Sequence, residues 1–453
     1  MNILTFTFFK YVNFMLLFLR GILIASVLDI YSYSLWGVVM IATSYYSVLG
    51  LGIPNIVLTN FKDIEDSRSR SLLTGSAVFY CFSLLLLFTA TYYVVSAYFD
   101  FSYANHINYY YVIIYCCLML VIDIFRNVSR YQNGYKLILY AEFISIIPML
   151  LWLLIKPVVI TVNGMLLVLI LSMVIAVVVY LKHVSITLKR KSILAFFNLI
   201  PSLGIPLLIF NFSSYIIFLL FREKIVFSYD ELTVANFNFA WFASNTIILG
   251  LNLVSWYVYP LVLRKVSKGI ETSRFSEYLV IQVILSLIIL SVSSEVLRVI
   301  LCNIFDKYVD SLIHFRFLIA TNLIFYLSFY PSTYLVALDN KRPLIVSGII
   351  SVLIYFGMDY MLGFVFSNES LLQEYIGLLL ASGSFLLAIT YLSKIKYAVK
   401  KILVILCSYY FIVILDSNLL NLLVFTLSIL YSVIHFNRIR SIIYKITNDD
   451  SNI

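Results

Sequence analysis

The sequence predicts an all-α integral membrane protein of about fourteen spans, with both termini in the cytoplasm. Three observations carry that expectation. The 453 residues are 62% hydrophobic and only 12% charged, where a soluble domain carries about 25% charged residues. Mean hydropathy is +1.01, so the apolar surface exceeds what a water-soluble core of this length can hide. The apolar residues also fall into runs long enough to cross a hydrocarbon core, which takes roughly 20 residues.

In chain order the apolar runs cover 8–28, 34–58, 72–98, 107–125, 137–155, 160–181, 198–221, 235–259, 277–301, 314–336, 344–366, 371–393, 402–416 and 418–436. The last two are short, so twelve spans plus a peripheral hairpin is the alternative. The first run leads directly into the second, without the pattern of a cleaved signal peptide. Basic residues mark every second connection: Lys10, then Lys62, Arg68 and Arg70, then Arg126, Arg130 and Lys136, then Lys182 and Lys189–Lys191. The series continues with Arg264, Lys265, Lys268 and Arg274, with Lys341 and Arg342, with Lys394–Lys401, and with the tail at Arg438, Arg440 and Lys445. Of the 31 Lys and Arg, only Arg20, Lys156, Arg222, Lys224, Arg298, Lys307 and Arg316 fall elsewhere. Positive loops stay in the cytoplasm, which places the termini there. The net charge of +9 reflects these loops and not nucleic-acid binding.

Six spans precede the basic stretch at 182–191, and six more precede that at 394–401. This predicts two parallel six-helix lobes, residues 1–193 and 194–398, followed by a hairpin and basic tail over 399–453. The turn Asn133-Gly-Tyr-Lys-Leu-Ile138 and its counterpart Asn340-Lys-Arg-Pro-Leu-Ile345 give this repeat a faint echo. No loop is long enough for an extramembrane domain. No GxxxxGK[ST], HExxH or GxSxG motif is present, so no catalytic residue, cofactor or metal is expected. Cys81, Cys116, Cys117, Cys302 and Cys407 lie in apolar runs and read as small buried hydrophobes.

Polar groups at membrane depth are costly, roughly 2.5–3.5 kcal/mol for a charge at the helix centre on insertion scales. They are therefore the candidate site residues. Arg20 sits near the middle of the first span with Asn13 seven residues earlier, on the same face. Either these line a cavity for an anionic substrate, or Arg20 is a structural arginine bonded to carbonyls, Asp29 or Glu142. Arg222 and Lys224 end the seventh span, with Asn211 and Ser214 near the Arg222 face. Arg298 and Arg316 lie near outer ends of the ninth and tenth. All four face a shared cavity or snorkel to headgroups, and Glu295 is placed to neutralise Arg298 within one helix. Asn238, Asn245 and Asn252 recur on one face of the eighth span beside Trp241 and Ser255, as a hydrated lining or as interhelical glue. Among the intramembrane acids, Asp123 is placed to pair with Arg126. Glu142 and Asp359 lack a partner on their own helices and are the candidate ion-coupling residues. Tyr109–Tyr111 read as an aromatic belt. Gly50, Gly52 and Pro54, and likewise Gly204 and Pro206, are candidate bends.

The stretch Phe9-Lys-Tyr through Arg20-Gly-Ile-Leu, with Tyr33-Ser-Leu-Trp-Gly37 and Leu49-Gly-Leu-Gly-Ile-Pro-Asn55, resembles the polysaccharide-export branch of the multidrug/oligosaccharidyl-lipid/polysaccharide (MOP) superfamily. Within that branch it resembles in particular the Wzx-type O-antigen flippases. Length and span plan match over the whole chain. The resemblance implies two lobes that rock around a cationic cavity, with an undecaprenyl-diphosphate-linked oligosaccharide as substrate and Arg20 as a cavity residue. It implies a transporter and not an enzyme, in a bacterial inner membrane. Membrane lipid, a polysaccharide polymerase and a chain-length regulator are the partners it brings. The competing readings are an O-antigen polymerase, which would need a large periplasmic loop, and a cation-coupled small-molecule antiporter of the same superfamily.

Overall fold

The computed structural model describes residues 3–393 except 46–49, 51, 62–63, 65, 99–106, 133, 156–159, 205–207, 209–215, 268–272, 338–341 and 366–370; beyond 393 it describes only 406, 426 and 428. Apart from those three residues, the two short runs at 402–416 and 418–436 therefore lie outside the described residues, as do Cys407, Pro206, Asn211 and Ser214.

The described helices are α1 (Ile3–Val27), α2 (Ile30–Ser44), α3 (Ile53–Phe61), α4 (Ser67–Tyr98), α5 (Tyr109–Tyr131), α6 (Tyr135–Ile155) and α7 (Val162–Leu181). They continue as α8 (Arg190–Leu199), α9 (Ile216–Ser228), α10 (Glu231–Ser267), α11 (Ser273–Ile304), α12 (Ser311–Ala337), α13 (Arg342–Val365) and α14 (Leu371–Leu392). No strand occurs among the described residues. Nine of these helices are long and apolar enough to cross a membrane.

Helix starts follow local chemistry. Asp29 accepts from the Ser32 N–H at 2.8 Å ahead of α2, Asn108 from the Tyr110 N–H at 3.1 Å ahead of α5, and Thr161 from the Gly164 N–H at 3.1 Å ahead of α7. Each satisfies a first-turn donor that lipid cannot. Inside the helices, hydroxyls of Ser76, Ser172, Ser291 and Thr390 donate to carbonyls four residues back, the internal partner available to them away from water.

Two of the expected spans are interrupted. The second is α2 and α3, with Gly50 and Gly52 between them. The seventh opens as α8, passes into a π-helical turn at Ile200–Gly204, and resumes in the described residues as α9. The breaks meet: a Cβ on Gly52 would lie 2.3 Å from the Gly204 carbonyl oxygen, and Gly52 has φ +73°. Only glycine fits a left-handed backbone at such close approach.

The chain divides into two compact units, residues 1–212 with 225–235, and residues 213–224 with 236–453. In the first, α4 packs on α5, α5 and α6 on α7, and α1 on α6. In the second, α11 packs on α12, and α12 and α13 on α14. Counted by spans, third on fourth, fourth on sixth and fifth on sixth recur in both units, as parallel repeats require. Cys81, Cys116 and Cys117 are buried as expected, but Cys302, in the last turn of α11, is exposed.

Candidate functional site

Each unit holds a group of interacting charges within its described helices. In the first unit, Lys10 of α1 donates to both carboxylate oxygens of Glu142 on α6. Asn13, 5% exposed, donates its side-chain amide to the Leu139 carbonyl at 3.2 Å and to Glu142 at 3.4 Å. Arg126 of α5 bonds Asp123 at 2.7 Å and reaches Glu142 at 3.5 Å. The expected Asp123–Arg126 pair is thus present. The cations Lys10 and Arg126 match the anions Asp123 and Glu142, so this group is formally neutral.

In the second unit, Lys224 of α9 stands between two carboxylates, 2.6 Å from Asp359 on α13 and 2.5 Å from Glu374 on α14. The Glu374 side chain is 2% exposed and also accepts from the Tyr355 hydroxyl at 3.3 Å. The Gln373 amide donates to the Asp359 carbonyl at 3.0 Å. One ammonium against two carboxylates leaves one formal negative charge. Both groups join the first span of a six-span set to the fifth, but at opposite ends: Lys10 and Glu142 lie toward the starts of α1 and α6, Lys224 and Asp359 toward the ends of α9 and α13.

Arg222 is 2% exposed and stacks its guanidinium over Trp241 at 4.5 Å. Phe218 and Phe237 pack on the same indole, so Arg222 lies in an aromatic layer of its own unit. Arg316 is half-buried and Arg298 exposed. The expected Glu295–Arg298 pair does not form, and Glu295 Oε1 is buried without a hydrogen-bond partner among the described residues. One turn of helix brings their backbones together, yet Glu295 turns inward while Arg298 stays exposed. Asn238 is buried and Asn245 half-buried, whereas the side chains of Asn252 and Ser255 lie outside the described residues. Beside that stripe, Ser244 accepts from Asn322 of α12 at 3.1 Å, a tie between α10 and α12.

Arg20 stands apart. It is half-buried, with the buried Tyr115 of α5 in its electrostatic surroundings. No carboxylate pairs with it among the described residues. Glu142 is engaged by Lys10 and Arg126 instead, and the Asp29 carboxylate accepts the Ser32 N–H.

Three participants escaped the sequence reading. Lys10 reads as a loop cation but lies inside α1, bonded to Glu142. Glu374, which the sequence reading did not single out, sits buried in the first turn of α14. His314, which the sequence reading did not place in a site, is 4% exposed and bonds the Tyr375 hydroxyl at 2.6 Å. A signal existed for Glu374: it lies at the start of α14, on the same side of the membrane as Asp359 toward the end of α13. Among the described residues, no cluster of His, Cys, Asp and Glu could hold a metal ion.

No family model and no curated protein sequence matches this chain. Solved structures do. One is the lipid II flippase MurJ in an inward closed conformation, at 14% identity with TM-score 0.63, covering 96% of this chain and 100% of that one. Another is an inward-facing multidrug resistance MATE transporter of the MOP superfamily, at 14% identity and TM-score 0.60 over 85% of this chain and 95% of that one. A MOP superfamily transporter from Pyrococcus furiosus, whose binding pocket is described as having reversed polarity, aligns at 14% identity and TM-score 0.59 over 86% and 94%. The chain therefore has the multi-pass helical fold shared by the lipid II flippase and the MATE transporters, along essentially its whole length.

Proposed function

We propose that the protein is a flippase that moves an undecaprenyl-diphosphate-linked oligosaccharide, such as an O-antigen repeat unit, across a bacterial inner membrane by alternating access. The observation that carries this reading is Arg20. Every acid–base contact described within the spans is internally matched or acidic in excess, while this guanidinium lies mid-helix with no carboxylate partner among the described residues. A cation at that depth calls for an anion or water, and a diphosphate supplies charge-assisted hydrogen bonds to it. Arg298, Arg316, Asn238 and Asn245 are the further groups proposed to meet the glycan and its diphosphate, with the buried Asn13, Arg222 and Trp241 and the half-buried Lys224 as supports. The polyprenyl tail stays in lipid, and one lobe rocks on the other. A polymerase and a chain-length regulator would consume the product.

Glu142 and Asp359 are proposed to couple transport to an ion gradient, and Glu374 joins Asp359 in that role. The surplus carboxylate of the second unit also favours an alternative, a cation-coupled small-molecule antiporter, since the MATE fold is shared. The test separates them. Arg20→Ala should abolish movement of a fluorescent diphosphate-linked oligosaccharide in proteoliposomes at unchanged protein level, with partial rescue by Arg20→Lys. Full activity in the alanine variant removes the cavity role. Efflux of organic cations with no lipid movement would establish the antiporter.

A further inference from the structure

The ends of α5, α6 and α7 frame a cavity of about 570 Å³ in the first unit, separate from the charge groups above. Ser129 and Gln132 close α5 onto it, Gly134 forms the turn, Lys136 and Tyr140 enter from the start of α6, and His183 follows α7. Gly134 and Lys136 belong to the sequence stretch whose echo follows the tenth span, and nothing in the transport cycle above uses them. The shape of the turn is fixed locally: the Gly134 N–H donates to the Ser129 carbonyl at 2.7 Å, and the Gln132 N–H to Val128 at 3.1 Å. That bend places the Lys136 ammonium and the His183 ring at one opening.

Neither the Lys136 nor the His183 side chain makes an ion pair or hydrogen bond among the described residues, and both are exposed. Ser129 is only 1% exposed, and its hydroxyl has no hydrogen-bond partner among the described residues. A buried hydroxyl without a partner costs free energy, which a ligand oxygen in the cavity can recover. Apolar side chains lead away from the opening along both flanking helices: Tyr140, Phe143, Leu151 and Leu154 on α6, and Leu181, Val178 and Val174 on α7, are all exposed. A cation with hydroxyl and amide donors at one end of an apolar wall is complementary to a phosphate ester carrying acyl chains. A small soluble anion would leave the wall unused. The basic loops set this end at the cytoplasmic leaflet, whose anionic headgroups attract lysine by about 1 kcal/mol each.

We propose that this cavity binds the phosphate headgroup of an anionic phospholipid. Lys136 and His183 hold the phosphate, Ser129 and Gln132 donate to its oxygens, and the acyl chains lie along α6 and α7. The test is native mass spectrometry of the full-length protein in detergent, with phosphatidylglycerol or phosphatidylcholine of identical acyl chains added. Phosphatidylglycerol should be retained in preference. Lys136→Ala should weaken that retention about fivefold, the worth of one lysine beside an anionic headgroup, and Lys136→Arg should preserve it. Phosphatidylcholine binding should not change. Ser129→Ala supplies an independent check: it should lower phosphatidylglycerol retention while raising the thermal stability of the lipid-stripped protein. Equal retention of the two lipids, or unchanged retention in the Lys136→Ala/His183→Ala double variant, overturns the proposal. Glycerol 3-phosphate competing as well as the lipid also overturns it, because the site would then read a soluble phosphate ester.

Discussion

Removing the ammonium of Lys224 is the sharpest perturbation of the second unit. In Lys224→Met the stem length is kept while Asp359 and Glu374 lose their common partner. The two halves of the interaction differ in worth. Lys224 and Asp359 are 28% and 29% exposed at the side chain, so solvent screens that pair to about 1 kcal/mol at most. Glu374 is 2% exposed, and stranding one partner of a buried pair costs about 3–5 kcal/mol. The single variant should therefore lose about 3–4 kcal/mol, most of it from Glu374. Adding Glu374→Gln removes the stranded charge and leaves an amide oxygen to accept the Tyr355 hydroxyl, so Lys224→Met/Glu374→Gln should regain about 2–3 kcal/mol of that loss. Adding Asp359→Asn instead should regain about 1 kcal/mol at most. Equilibrium unfolding in mixed micelles, run as a double-mutant cycle, measures both. Equal recovery from the two second changes would refute the placement of Glu374 as the buried member.

Neutralising Glu142 and Asp359 together should remove the pH-gradient dependence of transport in proteoliposomes, and an unchanged dependence acquits both. Gly52→Ala should lower thermal stability by several degrees, because a left-handed backbone costs a non-glycine residue about 1–2 kcal/mol and the added carbon meets the Gly204 carbonyl at 2.3 Å; an unaffected melting temperature would mean that the two backbones do not approach there. Asp66 accepts from the side chain and N–H of Ser69 and from the Arg68 N–H ahead of α4, and these bonds hold its carboxyl below the ordinary carboxylate range. Its folded-state value is the lower one, so its contribution is complete above the ordinary range and fades as pH falls through the lowered value. An Asp66→Asn variant should show a shallower loss of stability in that acidic window, read by thermal melts against pH.

The spans were legible because lipid imposes a length on apolar runs. The breaks were half-legible. Gly50, Gly52, Pro54 and Gly204 announced bends, but not that Gly52 and Gly204 bend against each other. Charged residues were legible by depth alone. Glu142 and Asp359 stood out for lacking a partner on their own helices, and the structure supplies one from another helix in each case. Lys10 and Glu374 were missed for a related reason: near a helix end, sequence does not distinguish a residue directed to the headgroups from one directed inward.

The sequence by itself determined the helical class and the many apolar runs long enough to cross a membrane. These depend on transfer free energies summed along contiguous residues, which composition and spacing record directly. Only the tertiary structure decided that Lys10 meets Glu142 across 132 residues and Lys224 meets Asp359 across 135. Such pairings depend on how each helix is rotated about its axis and which neighbour it packs against. An almost uniformly apolar helix has little amphipathic asymmetry with which to encode that rotation, so interhelical packing sets it.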